Sequence, residues 1–184
     1  VGNGPLVYGD WNCGSNKLDA IRGGRAVADL DIMLEQPCAT LEECASVKGA
    51  TSLPMKIDEN AKTPGDLMHA NELDCLDAVA LKISKFGGLS AAVRARDLCC
   101  YLGVRMCVED TWGSDIVTAA SLHLAASTPP ERIMNVCDLS GYVGPRLDPN
   151  SPTRKDGCIG PNDKPGLGVE PDLATLGAPD VVLD

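Results

Sequence analysis

Four short apolar runs, each ending in a charged residue, decide the fold: LVYGD (6–10), IMLE (32–35), MKID (55–58) and VALK (79–82). Their last residues recur at steps of 23 to 25 residues and are Asp10, Glu35, Asp58 and Lys82. A stretch with helical periodicity follows each run, which predicts repeated β/α units. In a β/α barrel, the carboxyl ends of the strands meet at one mouth. The spacing therefore predicts three carboxylates and a lysine at one site. Such a set suggests a divalent cation, held by the carboxylates, that faces a lysine base.

Two further runs, at 104–108 and 133–137, bring the number of predicted strands to six. Helices are predicted between and after the strands, at 17–29, 40–47, 63–71, 89–101 and 115–126. Repeated β/α units imply a parallel sheet, and a complete barrel needs eight strands. The sheet could be open, or its missing strands could come from elsewhere. We favour a third interpretation, an α/β chain that forms a partial TIM-type barrel within a longer protein.

The composition excludes several classes of function. The chain of 184 residues has a net charge of −10 and no basic stripe, which argues against nucleic-acid binding. No apolar run approaches the roughly 20 residues of a membrane span. The first ten residues show neither the charged nor the apolar region of a signal peptide. Nine cysteines without a CxxC pair favour buried thiols in a reducing cytoplasm, with zinc binding or disulfides as the alternatives.

The order of five motifs resembles the muconate-lactonizing branch of the enolase superfamily. These motifs are Asp10-Trp11-Asn12, Glu35-Gln36-Pro37, Ile57-Asp58-Glu59, LKISKFGG (81–88) and PGLGVEP (165–171). The resemblance implies the C-terminal barrel domain of such a protein without its N-terminal cap domain. Residues 1–140 would supply strands 3 to 8 of the barrel. The Gly/Pro-rich residues 141–184 would wrap around the barrel or the cap.

The same resemblance assigns roles to individual side chains. It implies that Asp10, Glu35 and Asp58 hold one Mg²⁺ ion and that Lys82 is an acid/base on one face of the substrate. Three further residues are expected to support these groups: Asn12, Glu59 and Lys85. In the family, a second catalytic lysine pair, K-x-K, lies on a strand before the position of Asp10. That strand is not part of this sequence.

The stretch EDTWGSDIVTAASLHLAASTPPE (109–131) resembles cis-3-hydroxy-L-proline dehydratases and hydroxyproline-betaine epimerases. This resemblance implies a small carboxylate substrate, hydroxyproline or proline betaine, with its cationic nitrogen near Trp112 and Asp138. The implied activity is that of a lyase, in which the α-proton leaves through an enediolate and water is eliminated. A racemase or epimerase and a non-catalytic barrel fragment remain as alternatives. A homo-oligomer is expected only by analogy with the family.

Several of these residues also have structural explanations. Asp115 is predicted to be a helix N-cap, and His123 to have a structural role within a helix. Trp112 could instead belong to the core. Lys85 could be a surface lysine or a partner that orients the carboxylates.

Overall fold

The computed structural model describes residues 5–109, 112–142, 144 and 146–182. Its strands are β1 (Val7–Asp10), β2 (Ile32–Glu35), β3 (Met55–Ile57), β4 (Ala78–Lys82), β5 (Arg105–Glu109) and β6 (Ile133–Val136). Its α-helices are α1 (Lys17–Ala26), α2 (Leu41–Thr51), α3 (Pro64–Glu72), α4 (Leu89–Leu102), α5 (Ser114–Ala126) and α6 (Leu173–Leu176). The strands form one parallel sheet in the order β1-β2-β3-β4-β5-β6. The predicted α/β partial barrel is confirmed.

Side-chain caps fix where the helices begin. Asn16, Thr40 and Thr63 each accept a hydrogen bond from the backbone N–H three residues ahead. At Thr63 the bond is reciprocated, because the Asp66 carboxylate accepts the Thr63 N–H at 2.7 Å. Gly103 caps the carboxyl end of helix α4 with a φ of 80°, a left-handed conformation that glycine adopts without strain.

Two helix ends differ from their predicted positions. Helix α1 ends at Ala26, before residue 29, because Val27 and Ala28 bond the carbonyls three residues back and tighten the chain into a turn. Helix α2 continues past residue 47 to Thr51. It ends where Ser52 adopts a left-handed φ of 59°, so its end depends on backbone geometry that the apolar pattern does not encode.

The sheet curls so that its first and last strands approach each other across the concave side. Asn135 of β6 donates a hydrogen bond from Nδ2 to the Tyr8 hydroxyl of β1 at 2.8 Å, although these strands are not neighbours in the sheet. The Lys56 ammonium of β3 lies 4.8 Å from the centroid of the same tyrosine ring. The six strands therefore form a curled half-barrel with polar side chains inside.

The hydrophobic core lies on the other side of the sheet, between the strands and the helices. Alternate residues of β3, Met55 and Ile57, point into it and are at most 1% exposed. Leu67 of α3 and Leu81 of β4 are completely buried in the same cluster. Burial of each such side chain contributes about 1.5–3 kcal/mol. This core holds the strand ends, and the charged residues on them, in fixed positions.

The segment after β6 runs over α5. Asp115 accepts the backbone N–H groups of Leu147 at 2.8 Å and Asp148 at 3.2 Å, and its carboxylate lies 2.7 Å from Arg146 Nε. The prediction that Asp115 is an N-cap is wrong: Gly113 caps α5 without a side-chain bond, and Asp115 anchors the tail. The prediction of a structural role for His123 is confirmed, because its Nε2 lies 3.2 Å from the Leu167 carbonyl oxygen.

All nine cysteines are free thiols, and five of them are buried: Cys38, Cys44, Cys75, Cys99 and Cys107. Within the described ranges, no helix combines the length and the apolar character needed to cross a bilayer.

Candidate metal and acid/base site

The four evenly spaced charged residues lie along the carboxyl edge of the sheet. Asp10, Glu35 and Lys82 are the last residues of β1, β2 and β4, and Asp58 follows the last residue of β3. Asp10 and Glu35 are register partners on adjacent strands. The parallel register thus brings the four side chains to one mouth, in the order of the strands.

Asp10 and the loop after β1 form one end of the site. The Asp10 carboxylate accepts the Asn12 backbone N–H at 3.0 Å and Asn12 Nδ2 at 2.8 Å. The same amide group lies 3.3 Å from Glu59 Oε1. These contacts require Asn12 to adopt a left-handed φ of 45°, a conformation that asparagine tolerates better than most residues. Asn12 therefore links two carboxylates, and its role in supporting metal ligands stays a prediction.

One carboxylate oxygen of Glu59, Oε2, lacks a strong hydrogen-bond donor. It is buried and has no geometrically sound hydrogen-bond partner among the described residues. The nearby Cys13 thiol is a weak donor, and burial together with the charge of Glu59 raises its pKa to about 11. A buried carboxylate oxygen without a strong donor is costly, and a cation would compensate for that cost.

Glu35 is almost fully buried, with 4% of its surface exposed. Its Oε1 lies 2.9 Å from the Lys56 ammonium. Burial raises the pKa of Glu35 to about 7 despite this ion pair, and the negative charges of Asp10 and Glu109 contribute to the rise. Like charges gather at this position, where a cation would offset their repulsion.

Asp58 is held by both lysines of the LKISKFGG motif. Lys82 Nζ lies 2.7 Å from Asp58 Oδ2, and Lys85 contacts Oδ1 and donates to the Asp58 carbonyl oxygen at 2.7 Å. The Gln36 side chain accepts the Asp58 N–H at 3.0 Å. Burial alone would raise the pKa of Asp58, but the two ammonium groups outweigh burial and lower it. Lys85 is therefore a partner of the carboxylate in this structure.

The proximity of Asp58 also sets the protonation of Lys82. Burial alone would lower the pKa of the Lys82 ammonium, but its hydrogen bond to Asp58 and the charge of Glu109 raise it. A lowered pKa is expected of a lysine that faces a cation. In this structure, beside Asp58, the pKa of Lys82 is raised instead.

The donor set fits a hard cation such as Mg²⁺, because all three candidate ligands are carboxylates and Glu59 adds an unsatisfied buried oxygen. Among the residues that the structure describes, no three His, Cys, Asp or Glu side chains are already gathered into a metal-binding cluster. Glu35 is instead paired with Lys56, and Asp58 with Lys82 and Lys85. Both oxygens of Asp58 contact lysines, so ligation by Asp58 would require it to exchange one of these contacts for the ion. Glu35 contacts Lys56 through Oε1 and could bind the ion through Oε2 without losing this contact.

The two residues expected near a substrate nitrogen lie at the ends of β5 and β6. Trp112 is 62% exposed, so it is not a core residue here, and its ring meets Tyr142 edge to face at a centroid distance of 6.4 Å. Asp138 is buried and accepts hydrogen bonds from the Ser140 hydroxyl and the Gly141 N–H. Trp112 and Asp138 thus follow neighbouring strands of the sheet, β5 and β6.

The Asp138 carboxylate also contacts a positively charged side chain that was not predicted from the sequence. Arg154, in the Gly/Pro-rich segment, lies 3.4 Å from Asp138 Oδ2, and its guanidinium lies 5.2 Å from the centroid of the Tyr142 ring. No local pattern around Arg154 points to such a contact, because the contact arises from the path of the tail.

Two further charged residues, Lys56 and Glu109, lie inside the half-barrel and were not predicted from the sequence to belong to the site. Lys56 precedes Asp58 by two residues and therefore points to the same concave face. Glu109 ends β5 and is the register partner of Lys82. The period-two alternation of β3 and the position of Glu109 at a strand end were signals that could have identified both.

Comparison with known proteins agrees with this fold. The sequence model of the family described as "Enolase C-terminal domain-like" matches residues 1–175. The chain is 42% identical to cis-3-hydroxy-L-proline dehydratase of Roseibium aggregatum over 95% of its length and 47% of the relative's length. It is 28% identical to N-succinyl-L-Arg/Lys racemase of Bacillus cereus over 96% of its length and 48% of the relative's.

One solved structure with a similar fold was determined as a complex with magnesium. It is the crystal structure of a member of the enolase superfamily from Roseovarius nubinhibens ISM complexed with magnesium. The TM-score is 0.91 at 31% identity, covering 98% of this chain and 49% of that one. The chain spans about half the length of the curated relatives named above. It belongs to the enolase superfamily and corresponds to the C-terminal barrel portion of such a protein.

Proposed function

We propose that the full-length protein containing this chain is a Mg²⁺-dependent hydro-lyase that acts on cis-3-hydroxy-L-proline. The observation that carries the proposal is the contact of Lys82 with Asp58 at the carboxylate-lined mouth, 2.7 Å apart. This contact supports the proposal because it brings a possible acid/base side chain next to a candidate metal ligand. The 42% identity to a cis-3-hydroxy-L-proline dehydratase supports the choice of substrate.

Asp10, Glu35 and Asp58 would hold the ion at the mouth, with Asn12 and Glu59 next to the Asp10 carboxylate. When bound there, the ion would supply positive charge next to the substrate carboxylate, where negative charge builds up as the α-proton leaves. A small carboxylate substrate suits this site, because the mouth offers both a cation site and buried polar groups.

Lys82 takes the α-proton at Nζ on one face of the substrate. To do so it must be neutral before the transfer, and the Asp58 carboxylate now opposes that state by raising the pKa of the lysine. Engagement of Asp58 as a ligand would weaken this opposition. Loss of the 3-hydroxyl group with one proton then gives water and an enamine, which tautomerises to a cyclic imine.

Asp138 and Trp112 would contact the substrate nitrogen. The buried carboxylate of Asp138 suits an ammonium group through ion pairing, and the exposed ring of Trp112 suits it through cation–π contact. The Asp138 carboxylate contacts Arg154 in the structure, so a substrate cation would share or replace this contact.

Racemisation or epimerisation of an amino acid or a proline betaine is the second candidate function. The relation to an N-succinyl-L-Arg/Lys racemase favours it. Both reactions begin with removal of the α-proton. They differ in whether a hydroxyl group leaves or a proton returns to the opposite face.

The test is incubation of the full-length protein with cis-3-hydroxy-L-proline and Mg²⁺, with the products followed by NMR. The proposal predicts a cyclic imine and loss of the substrate hydroxyl group. Inversion at the α-carbon without loss of water would overturn the proposed lyase activity and support the epimerase activity. A fully metal-loaded protein that leaves the α-proton of both hydroxyproline and proline betaine unexchanged would support the non-catalytic alternative.

A further inference from the structure

A buried lysine, Lys56, lies beneath the mouth and takes no part in the proton transfer proposed above. Only 2% of its surface is exposed. Its ammonium group lies 2.9 Å from Glu35 Oε1 and 3.3 Å from Glu109 Oε1. The ring of Tyr8 covers it at 4.8 Å from the centroid.

The sheet determines these contacts. Lys56 and Glu35 are register partners on adjacent strands, so their side chains lie side by side. Glu109 lies two strands away on β5, and Tyr8 on the edge strand β1. The Lys56 side chain therefore crosses the interior of the half-barrel and joins four of its strands below the candidate ligands.

A buried ammonium group is stable only when it is paired. Lys56 meets this requirement with two carboxylates and an aromatic face, and each contact also constrains the partner. Lys56 engages Glu35 through Oε1. This contact restricts the rotation of the Glu35 carboxylate, and Oε2 would then be the oxygen that binds the ion. Groups that bond a metal ligand from behind orient that ligand, and their loss typically weakens metal binding.

We infer that Lys56 is a positioning residue of the candidate Mg²⁺ site, which holds the Glu35 carboxylate in the orientation that ligation needs. The inference rests on the proposed function, because it takes Glu35 to be a metal ligand. Glu109 anchors Lys56 from the opposite side of the interior.

The experiment is a calorimetric titration of Mg²⁺ into the metal-stripped full-length protein, for the wild type and Lys56→Met. Methionine is unbranched like lysine but cannot bond Glu35. The expected Mg²⁺ affinity of Lys56→Met is about 10 to 100 times weaker than that of the wild type. Far-UV circular dichroism confirms that the variant is folded.

Lys48→Met is the matched control. Lys48 also forms two ion pairs, with Asp74 at 3.2 Å and Asp77 at 2.9 Å, but these lie at the amino end of the sheet, away from the mouth. Its loss is expected to leave Mg²⁺ affinity unchanged. An equal loss of affinity in both variants would show a general effect of removing a lysine and would overturn the inference.

A second variant covers the case in which Lys56→Met does not fold. Lys56→Arg keeps the positive charge but shifts the atoms that bond Glu35, so weaker Mg²⁺ binding by a folded protein is expected. Wild-type affinity in Lys56→Met, or in Lys56→Arg if that is the folded variant, would overturn the inference while leaving the proposed function intact. A wild-type protein that binds no Mg²⁺ would overturn the metal-dependent function itself.

Discussion

At the scale of single residues, the mouth is an arrangement in which lysines hold carboxylates in place. Lys56 bonds Glu35, and Lys82 bonds Asp58, each within 2.9 Å. These pairs stabilise a concentration of negative charge that would otherwise repel itself. Glu35 and Asp58 respond differently to burial: the pKa of Glu35 rises to about 7, whereas that of Asp58 falls because two ammonium groups contact it.

The raised pKa of Glu35 predicts that Mg²⁺ binding depends on pH. An ion binds the ionised carboxylate, so below a pKa of about 7 it must displace a proton, and affinity is expected to rise from pH 5.5 to pH 7 and to level off above it. Calorimetry at pH 6 and pH 8, in buffers of different ionisation enthalpy, would measure both the affinity and the protons released.

Glu35→Gln is the control for this pH dependence. It keeps the shape of the side chain but cannot ionise, so the variant should bind Mg²⁺ weakly and without the step near pH 7. An unchanged step in Glu35→Gln would assign the titration to another group.

At the scale of elements, helix α5 and the tail stabilise each other through Asp115. Its carboxylate accepts two backbone N–H groups of the tail and pairs with Arg146, and its side chain is 1% exposed. Breaking such a buried pair by removing one partner costs about 3–5 kcal/mol. Arg154, eight residues beyond Arg146 in the same tail, contacts Asp138.

Asp115→Ala is therefore expected to lower the free energy of unfolding by about 3 kcal/mol, measured by urea denaturation. The control is Asp97→Ala, which removes an ion pair whose carboxylate is 64% exposed and should cost less than about 1 kcal/mol. Equal losses in the two variants would contradict the anchoring role of Asp115.

At the scale of the whole molecule, the order of strands and helices was predictable because it depends on local periodicity. The strand ends that carry Asp10, Glu35, Asp58 and Lys82 lie where the apolar runs predict them. The contacts of Arg154 with Asp138 and of Lys56 with Glu109 were not predictable in this way. They depend on the curl of the sheet and the path of the tail, which join residues far apart in sequence.

The packing of the whole chain also predicts the reactivity of its thiols. Five cysteines are buried, and burial raises the pKa of Cys44 and of Cys99 to about 12, whereas Cys158 is exposed. With a thiol-specific chromogenic reagent, Cys158 should react first and the buried five only on unfolding. Cys158→Ser should remove the fast phase. Rapid reaction of the buried thiols in the native protein would contradict this packing.

The proposed function depends on one step, in which Lys82 removes an α-proton at a Mg²⁺ site formed by Asp10, Glu35 and Asp58. The most direct measurement is the exchange of the α-proton of cis-3-hydroxy-L-proline in deuterated water, catalysed by the Mg²⁺-loaded full-length protein and followed by NMR. We predict that turnover of the α-proton in the wild type falls by at least about 100-fold in Lys82→Ala, with Mg²⁺ affinity retained. Undiminished loss of the α-proton in Lys82→Ala would show that Lys82 is not the base and would contradict the proposed role of this residue.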